Sequence, residues 1–307
     1  MKIIDLHCDT IARLTETGEN LYQNQGHFDL IRAQQANLVL QVFSLFVYPA
    51  EQSRALKGIL QQIDRFYQEI EQNSQLVYLL LYMTDYKPDN NRLAALLHLE
   101  GGECLGTDQE VLRILYRLGL RSVGLTWNDR NLLADGVKEG QNAGGLSRVG
   151  RKMIQEMKRL GMLLDLSHIA PAGFYQAIDE YQGPVLVTHA NVRKFCDHPR
   201  NLDDNQLKAL ANSGGIIGLS QVSDFVKDIP QPSLDDFIDH IVYVSDLIGV
   251  EHVALGSDFD GADQVVLPGI EGYHQLETLL RKRGFYTHEL EMIFSMNVER
   301  VIKQILK

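Results

Sequence analysis

The chain has 307 residues, a length that suits either one large barrel domain or two domains of medium size. Its composition, with 45% hydrophobic and 22% charged residues, is typical of a globular protein. The formal net charge of -11 would repel a polyanion and no basic run offsets it, so the composition argues against nucleic acid as a partner.

Short apolar runs with the length and composition of β-strands recur along the chain. In chain order, the predicted strands are Lys2–His7, Leu38–Val47, Ala94–Glu100, Ser122–Trp127, Leu163–His168, Val185–His189, Gly215–Ser220 and His252–Asp258. Amphipathic patterns between them predict helices at Gln52–Gln72, Asp108–Leu118, Leu146–Leu160, Asp203–Asn212 and Ser233–Ile248. The segment from Tyr273 to Lys307 has the pattern of two further helices.

This alternation of strands and helices predicts parallel strands joined by crossover helices. Eight strands in about 260 residues fit a closed barrel. We therefore predict an α/β fold, a (β/α)8 TIM barrel that forms a single domain over residues 1–307 and is closed by its last two helices. A doubly wound open sheet is the alternative, but it would need a glycine-rich turn after the first strand, which ends here in His-Cys-Asp. The polar stretch Asn128–Gly145 is predicted to be a long loop over the barrel mouth.

The sequence lacks the pattern of a targeting or membrane-spanning segment. Asp5 and His7 interrupt the first apolar stretch, where a secretory signal would need a longer apolar run. The apolar segment Leu38–Val47 is too short to cross a bilayer, which takes roughly 20 apolar residues. The three cysteines lie far apart and form no CxxC motif, which argues for a reducing compartment. We therefore expect a cytoplasmic protein that does not bind a membrane.

Residue types that bind metals or move protons stand at the ends of several predicted strands. They are His7, Asp9, Glu100, His168, His189 and Asp258. In a (β/α)8 barrel the carboxyl ends of the strands converge on one face, where active sites lie. We therefore expect these six side chains to meet in one cavity.

His7 and Asp9 are two residues apart, so in an extended segment both side chains point to the same face and can bind one ion. The alternative is that His7 is a buried histidine bound to a backbone carbonyl. Asp5 has the same parity and is expected to orient the His7 ring, because a metal-bound imidazole usually donates its other N–H to an acceptor.

Glu100 ends an apolar strand, where an unpaired buried charge would be costly. Two cations that share the carboxylate would remove this cost, whereas the alternative is an exposed glutamate just beyond the strand. His98 has the same parity and is expected inside the barrel without binding the metal.

His168 and His189 each close an apolar run, and neutral imidazoles at the ends of neighbouring strands can chelate zinc. The alternative is that either histidine serves packing. Asp258, in the motif ALGSDFDG, is the candidate for a proton-transferring carboxylate. The remaining histidines are expected to be ordinary surface or capping residues. The chain has no GxSxG, P-loop or HExxH motif, which argues against nucleophilic serine, nucleotide and zincin chemistry.

Taken in order, these motifs resemble those of the renal (membrane) dipeptidase family, a family of amidohydrolase-type metal-dependent hydrolases. The matching motifs are HxD at 7–9, EGG at 100–102, DLSH at 165–168, THAN at 188–191, RN at 200–201 and GSDFDG at 256–261. They extend from the first strand to the last in the order of the family.

The resemblance implies two Zn2+ ions per chain, bridged by Glu100 and a hydroxide. One ion would be held by His7, Asp9 and Glu100, and the other by Glu100, His168 and His189. It further implies a small dipeptide substrate, which can carry a D-residue at its C-terminal position, and a dimer is common in the family.

Three more roles follow from the resemblance. Asp258 would handle protons beside the hydroxide, and Arg200 would bind the terminal carboxylate of the substrate. Trp127 stands where characterised mammalian members have a histidine that contacts the substrate, so it is expected to stack on the substrate, with plugging of the barrel mouth as the alternative. This departure from the family pattern leaves the substrate range open.

The sequence thus predicts a binuclear zinc dipeptidase. A related metal-dependent hydrolase that opens lactones or cyclic amides is the first alternative, because Trp127 alters the substrate contact. A non-catalytic protein that keeps the fold is the second, although such a protein would be expected to lose a metal ligand and none is missing here.

Overall fold

The computed structural model describes residues 1–49, 54–88 and 91–306. Its strands are β1 (Ile3–Cys8), β2 (Leu38–Phe46), β3 (Val77–Leu79), β4 (Leu93–Glu100), β5 (Leu120–Gly124), β6 (Leu163–Asp165), β7 (Leu186–Ala190), β8 (Ile216–Leu219) and β9 (Val253–Leu255). Its α-helices are α1 (Thr10–Thr17), α2 (Leu30–Gln35), α3 (Ala55–Gln72), α4 (Gln109–Arg117), α5 (Arg148–Leu160), α6 (Pro171–Tyr181), α7 (Asp204–Asn212), α8 (Ser223–Val226), α9 (Leu234–Ile248), α10 (Tyr273–Lys282), α11 (Thr287–Glu291) and α12 (Asn297–Ile305).

All strand pairs are parallel, and eight of the strands form a closed ring. The ring runs β1, β2, β4, β5, β6, β7, β8 and β9 and closes through the pairing of β9 with β1. The predicted (β/α)8 barrel is therefore confirmed. The short strand β3 was not predicted; it pairs with the first residues of β4, on the side that β5 takes from Leu97 onward.

Most predicted elements agree with the structure to within a few residues. Three predicted strands end about three residues earlier than expected: β5 ends at Gly124, before Trp127, β6 ends at Asp165 and β9 ends at Leu255. His168 and Asp258 consequently lie in the loops that follow these strands. The first two residues of the predicted helix 52–72, and the last residue of the predicted tail, lie outside the described residues.

Helix boundaries follow local capping chemistry. The hydroxyl of Ser147 accepts a hydrogen bond from the Gly150 N–H at the start of α5, and α5 ends at Gly161 in the left-handed conformation. Ser233 and Asp236 form a reciprocal capping box at the start of α9. None of the helices in the described ranges is both long and apolar enough to cross a bilayer.

The amino end of the barrel is filled with apolar side chains and closed by α12. Inward-facing residues such as Leu6 and Leu96 form one buried cluster with Val298, Val301 and Ile302 of this helix. A second apolar cluster lies between the strands and the surrounding helices. The prediction that the last helices close the barrel is thus confirmed for α12, and the carboxyl end of the strands is left for polar groups.

Candidate metal centre

The structure brings the six predicted side chains together at the carboxyl end of the barrel. His7 lies in β1, Glu100 is the last residue of β4 and His189 lies in β7. Asp9, His168 and Asp258 follow β1, β6 and β9, respectively. All six residues are buried, with at most 9% of each exposed.

A register shift in β1 turns His7 into the barrel. Ile4 and Leu6 belong to the inner apolar cluster and Ile3 to the outer one, so strict alternation would point His7 outward. The pairing of β1 with β2 shifts between Asp5 and Cys8, which breaks the alternation.

The expected role of Asp5 is therefore wrong. Its carboxylate accepts hydrogen bonds from the backbone N–H of His7 and of Ser257 and from the hydroxyl of Tyr273. Asp5 fixes the backbone around the site, because its side chain points outside the barrel whereas the register shift turns the His7 ring inward.

Glu100 is at the centre of the group. Its Oε2 atom lies 3.2 Å from Nε2 of His7, and its Oε1 atom lies 2.7 Å from Nε2 of His168 and 3.5 Å from Nε2 of His189. On the far side of His7, Oδ2 of Asp9 lies 3.5 Å from the same Nε2 atom. One carboxylate thus stands between two groups of potential ligands.

The other nitrogen of each imidazole is held by a side chain that the sequence interpretation did not identify. Oγ1 of Thr188 lies 2.9 Å from Nδ1 of His189 and 3.3 Å from Nδ1 of His7, and Oδ1 of Asn128 lies 2.9 Å from Nδ1 of His168. With Nδ1 donating, each ring directs an Nε2 lone pair towards Glu100. Thr188 lies inside the THAN motif, and this was the available signal.

His98 lies inside the barrel beneath the ligand group, as expected. Its Nδ1 atom lies 2.9 Å from Oγ of Ser122, and its ring stands edge-on to His7 with 5.4 Å between ring centroids. Ser44 donates a hydrogen bond of 3.0 Å to Oε2 of Glu100. These neighbours fix the orientation of the ligand side chains.

The group fits a metal site. One potential ligand atom each from His7, Glu100 and His189 lies within 4.8 Å of the others, and the same holds for His7, Asp9 and Asp258. Within the described part of the chain, His7 Nε2 and Asp9 Oδ1 are buried and have no hydrogen-bond partner. Three buried carboxylates face mainly imidazoles here, and burying their negative charges costs free energy unless cations neutralise them. Imidazole and carboxylate together suit zinc.

Burial and neighbouring charges set the protonation of this group. Burial lowers the pKa of His168 to about 4 and that of His189 well below its usual value, so both rings are neutral as metal ligands must be. Burial opposes the charge of Glu100, but the neighbouring His7 outweighs it and holds the pKa of this carboxyl well below its usual value. In turn, burial opposes the charge of His7, but Glu100 and Asp9 outweigh it and raise the pKa of this imidazole well above its usual value.

Asp258 faces the ligand group from a strained loop. Its φ angle of 62° lies in the left-handed region, where residues other than glycine are uncommon. Its N–H donates a 3.1 Å hydrogen bond to the carbonyl of His7, which fixes the loop to β1. Burial raises the pKa of this carboxyl to about 7. The side chain lines the cavity that opens above the site.

Arg200 reaches the same cavity and is only 3% exposed. Its guanidinium donates hydrogen bonds to the backbone carbonyls of Ser167 and His189 and, at 3.1 Å, to Nε2 of His168. Burial lowers its pKa to about 10, so the group keeps its positive charge at neutral pH. The guanidinium is therefore held in place beside the ligands.

Trp127 forms part of an aromatic wall of the cavity. Its ring packs against Phe46 and Tyr48, with 5.3 Å and 6.0 Å between ring centroids, and lies 6.0 Å from the ring of His168. Nζ of Lys138 stands 5.0 Å from the centroid of the Trp127 ring. The cavity has a volume of about 570 Å³, which is enough for a small ligand.

One of the remaining histidines differs from the expectation. His240 was expected at the surface or in a cap, but it is fully buried in α9. Its Nδ1 atom accepts from the N–H of Val192 and its Nε2 atom donates to the carbonyl of Val226. It is a structural residue outside the site.

Comparisons with known proteins agree with this geometry. A model of the membrane dipeptidase family, peptidase family M19, matches residues 1–307. Dipeptidase tcpJ of Claviceps purpurea is 32% identical over 295 residues, which cover 91% of this chain and 69% of that protein. Dipeptidase verJ of Clonostachys rogersoniana is 34% identical over 260 residues, which cover 83% of this chain and 66% of that protein. The chain spans about two thirds of the length of these relatives.

A solved structure shares the whole barrel. The crystal structure of a metallopeptidase from Rhodobacter sphaeroides, with a phosphinate mimic of the dipeptide L-Ala-D-Ala bound, matches with a TM-score of 0.93 at 23% identity and covers 99% of both chains. At 23% identity this structure shows a shared fold only. The family model and the two fungal relatives show a likeness of sequence. The chain belongs to the membrane dipeptidase family, peptidase family M19.

Proposed function

We propose that this chain is a binuclear zinc dipeptidase that hydrolyses L,L- and L,D-dipeptides. The position of Glu100 carries the proposal, because one of its oxygens lies 3.2 Å from Nε2 of His7 and the other lies 2.7 Å from Nε2 of His168. A carboxylate in this position can bridge two ions. Membership of a metallopeptidase family supports a bound metal.

The ligands divide into two groups around Glu100. His7 and Asp9 would hold one zinc ion with one oxygen of Glu100, and His168 and His189 would hold the other with the second oxygen. When bound, two such ions lower the pKa of water between them and polarise a carbonyl group. The residues around them position the substrate and move the proton.

Asp258 is the proton carrier. Its carboxylate lines the cavity beside Asp9 and is fixed through the hydrogen bond of its N–H to the carbonyl of His7. It accepts the proton of the attacking water on a carboxylate oxygen and delivers it to the amine nitrogen of the departing amino acid. Glu100 is fully engaged by three imidazoles, so it serves as a bridge and does not transfer the proton.

Arg200 and Trp127 define the substrate. The guanidinium of Arg200 binds the C-terminal carboxylate, which limits the enzyme to short substrates that end beside the metals. Trp127 offers a flat apolar surface on the His168 side of the cavity. The Rhodobacter sphaeroides protein binds a mimic of L-Ala-D-Ala in the same fold, and this supports L,D-dipeptides as substrates here.

Amino-acid release from a panel of L,L- and L,D-dipeptides by zinc-reconstituted protein tests the proposal. We expect release that a chelator abolishes and that added zinc restores. Matched dipeptides with an amidated C-terminus should be poor substrates, because they lack the charge that Arg200 binds.

Hydrolysis of a lactone or cyclic amide is the second candidate, and the aromatic wall of Phe46, Tyr48 and Trp127 favours it. A panel of such compounds is the natural comparison. Their hydrolysis by zinc-loaded protein, with no release from any dipeptide, would contradict the first proposal and support this one.

A further inference from the structure

Thr188 contacts imidazoles from both groups of ligands. It lies in β7 and is fully buried, and its single hydroxyl oxygen is 2.9 Å from Nδ1 of His189 and 3.3 Å from Nδ1 of His7. The rings of His7 and His189 pack against each other at a tilt of 40°, with 3.8 Å between ring centroids. The two rings thus run side by side from one shared hydroxyl to one shared carboxylate, that of Glu100.

Asp165 fixes the direction of the Thr188 hydroxyl. Thr188 donates its proton to Oδ2 of Asp165 at 2.8 Å. Oδ1 of the same carboxylate accepts from the N–H and hydroxyl of Ser167 and from the N–H of Thr188. The Ser167 hydroxyl lies 3.1 Å from Oγ1 of Thr188 but donates its own proton to Oδ1 of Asp165. A hydroxyl has one proton and two lone pairs, so both lone pairs of Thr188 remain for the two imidazoles.

The backbone of Thr188 is held as tightly as its side chain. Gly218 of β8 and Gly256 after β9 both press against the carbonyl oxygen of Thr188, and a Cβ atom on either glycine would overlap it. Close approach of three strands is possible only because these two residues lack side chains. Thr188 therefore cannot shift towards one imidazole at the expense of the other.

We propose that Thr188 is a positioning residue shared by the two metal subsites. Its hydroxyl accepts Nδ1–H from His7 and from His189, and so keeps both Nε2 lone pairs directed at the ions. This inference rests on the two-zinc site proposed above. Because one hydroxyl serves a ligand of each subsite, its loss weakens the binding of both ions together. Loss of the Asn128 side chain, whose Oδ1 atom meets His168 of one subsite, weakens the binding of one ion.

The test compares zinc binding by Thr188→Val, Thr188→Ser and Asn128→Leu with that of the wild-type chain. Binding is measured by competition with a chromophoric chelator. In Thr188→Val, the affinity of both zinc ions should fall about 10- to 100-fold, which is the usual effect of losing such a hydrogen bond. Thr188→Ser should bind both ions as the wild type does, and Asn128→Leu should loosen one ion only.

A spectroscopic signature separates positioning from a general loss of stability. In zinc-loaded protein the Nδ1–H protons of His7 and His189 should give downfield proton resonances that exchange slowly. Both should persist in Thr188→Ser and both should weaken in Thr188→Val. If Thr188→Val does not fold, Asp165→Asn provides the second variant. An amide donor in place of Oδ2 would turn the Thr188 hydroxyl towards one imidazole, and one ion should be loosened.

The outcomes distinguish this inference from the proposed function. A wild-type chain that binds fewer than two zinc ions would overturn both. A wild-type chain with two tight ions, together with a Thr188→Val variant that also binds both tightly or loses only one, would overturn the shared role of Thr188 and leave the two-metal site in place.

Discussion

The two ends of the barrel are built from opposite kinds of residue. At the carboxyl end, three carboxylates, three imidazoles and a guanidinium are buried within a few ångströms of one another. At the amino end, the inward-facing side chains are apolar, and α12 adds Val298, Val301 and Ile302 to them. Both ends are equally buried, but burial stabilises the apolar end and is costly at the charged end.

This difference separates stability from function within one domain. The carboxyl end of a barrel of this type carries the chemistry, and its loops and strand ends can change without altering the sheet. Burial of apolar side chains at the amino end stabilises the fold and offsets the free-energy cost of burying the charged group. Substitutions at the carboxyl end should therefore lower catalytic activity with little change in the free energy of unfolding, and substitutions at the amino end should do the reverse.

The largest effect is expected for Asp258→Asn at the charged end. The amide cannot accept the proton of the attacking water, so kcat should fall about 1,000-fold or more. Zinc content and the free energy of unfolding should change little, because the substitution keeps the shape of the side chain. Steady-state kinetics, with zinc measured on the same sample, checks this prediction, and an active variant would refute the role of Asp258.

The next largest effect concerns the apolar end. Ile302→Ala in α12 removes a side chain that is 1% exposed, and the free energy of unfolding should fall by about 3 kcal/mol. The kcat of the folded enzyme and its zinc content should remain at the wild-type level. Chemical denaturation measures the change. Met296→Ala, at a 43% exposed position directly before α12, is the control and should be nearly neutral.

Arg200→Lys keeps the positive charge but loses the planar pair of donors. We expect kcat/KM for dipeptides with a free C-terminus to fall about 100-fold, since charged hydrogen bonds of this kind are worth roughly 2–3 kcal/mol. The same variant should lose little activity on C-terminally amidated dipeptides. An equal loss on both substrates would show that Arg200 does not bind the terminal carboxylate.

The smallest effect is expected for His240. It is a buried polar residue that belongs neither to the charged group nor to the apolar cluster, so it serves as a control for the comparison of the two ends. Burial lowers its pKa to about 4, from 6.5 in the unfolded chain. Between about pH 4 and pH 6.5, His240 binds a proton in the unfolded chain but not in the folded one. The stability that neutral His240 contributes is therefore complete above about pH 6.5 and is lost as the pH falls towards 4.

The loss from His240 should be about 2 kcal/mol between about pH 7 and pH 5. His240→Gln, which retains a donor and an acceptor but does not titrate, should lack this part of the pH dependence. Denaturation curves at several pH values compare the two proteins. Identical pH dependence would mean that folding leaves the pKa of His240 unchanged.

Much of the fold could be predicted from the sequence because the strands are short apolar runs that end in polar residues. The strand β3 escaped prediction because its three residues, Val77–Leu79, carry too little pattern. The ends of β6 and β9 were placed too late, since Leu166 continues the apolar run of β6 and only Gly256 and Ser257 separate β9 from Asp258.

The site was predictable as a set of ligand types, but its supporting contacts were not. Asp5 has the parity of His7 in sequence, yet the register shift in β1 separates their side chains, and pairing between strands is not written in local sequence. The roles of Thr188 and Asn128 depend on which imidazole nitrogen each one meets in space. The buried position of His240 likewise depends on packing against the β7 loop.

The most direct test of the account is a crystal of this protein grown with zinc and measured on both sides of the zinc absorption edge. We expect two anomalous peaks beside the Glu100 carboxylate, one near each of its two oxygens. One peak should contact His7 and Asp9, and the other should contact His168 and His189. A single peak, or peaks away from Glu100, would contradict the proposal that the charged end of the barrel is a two-metal centre.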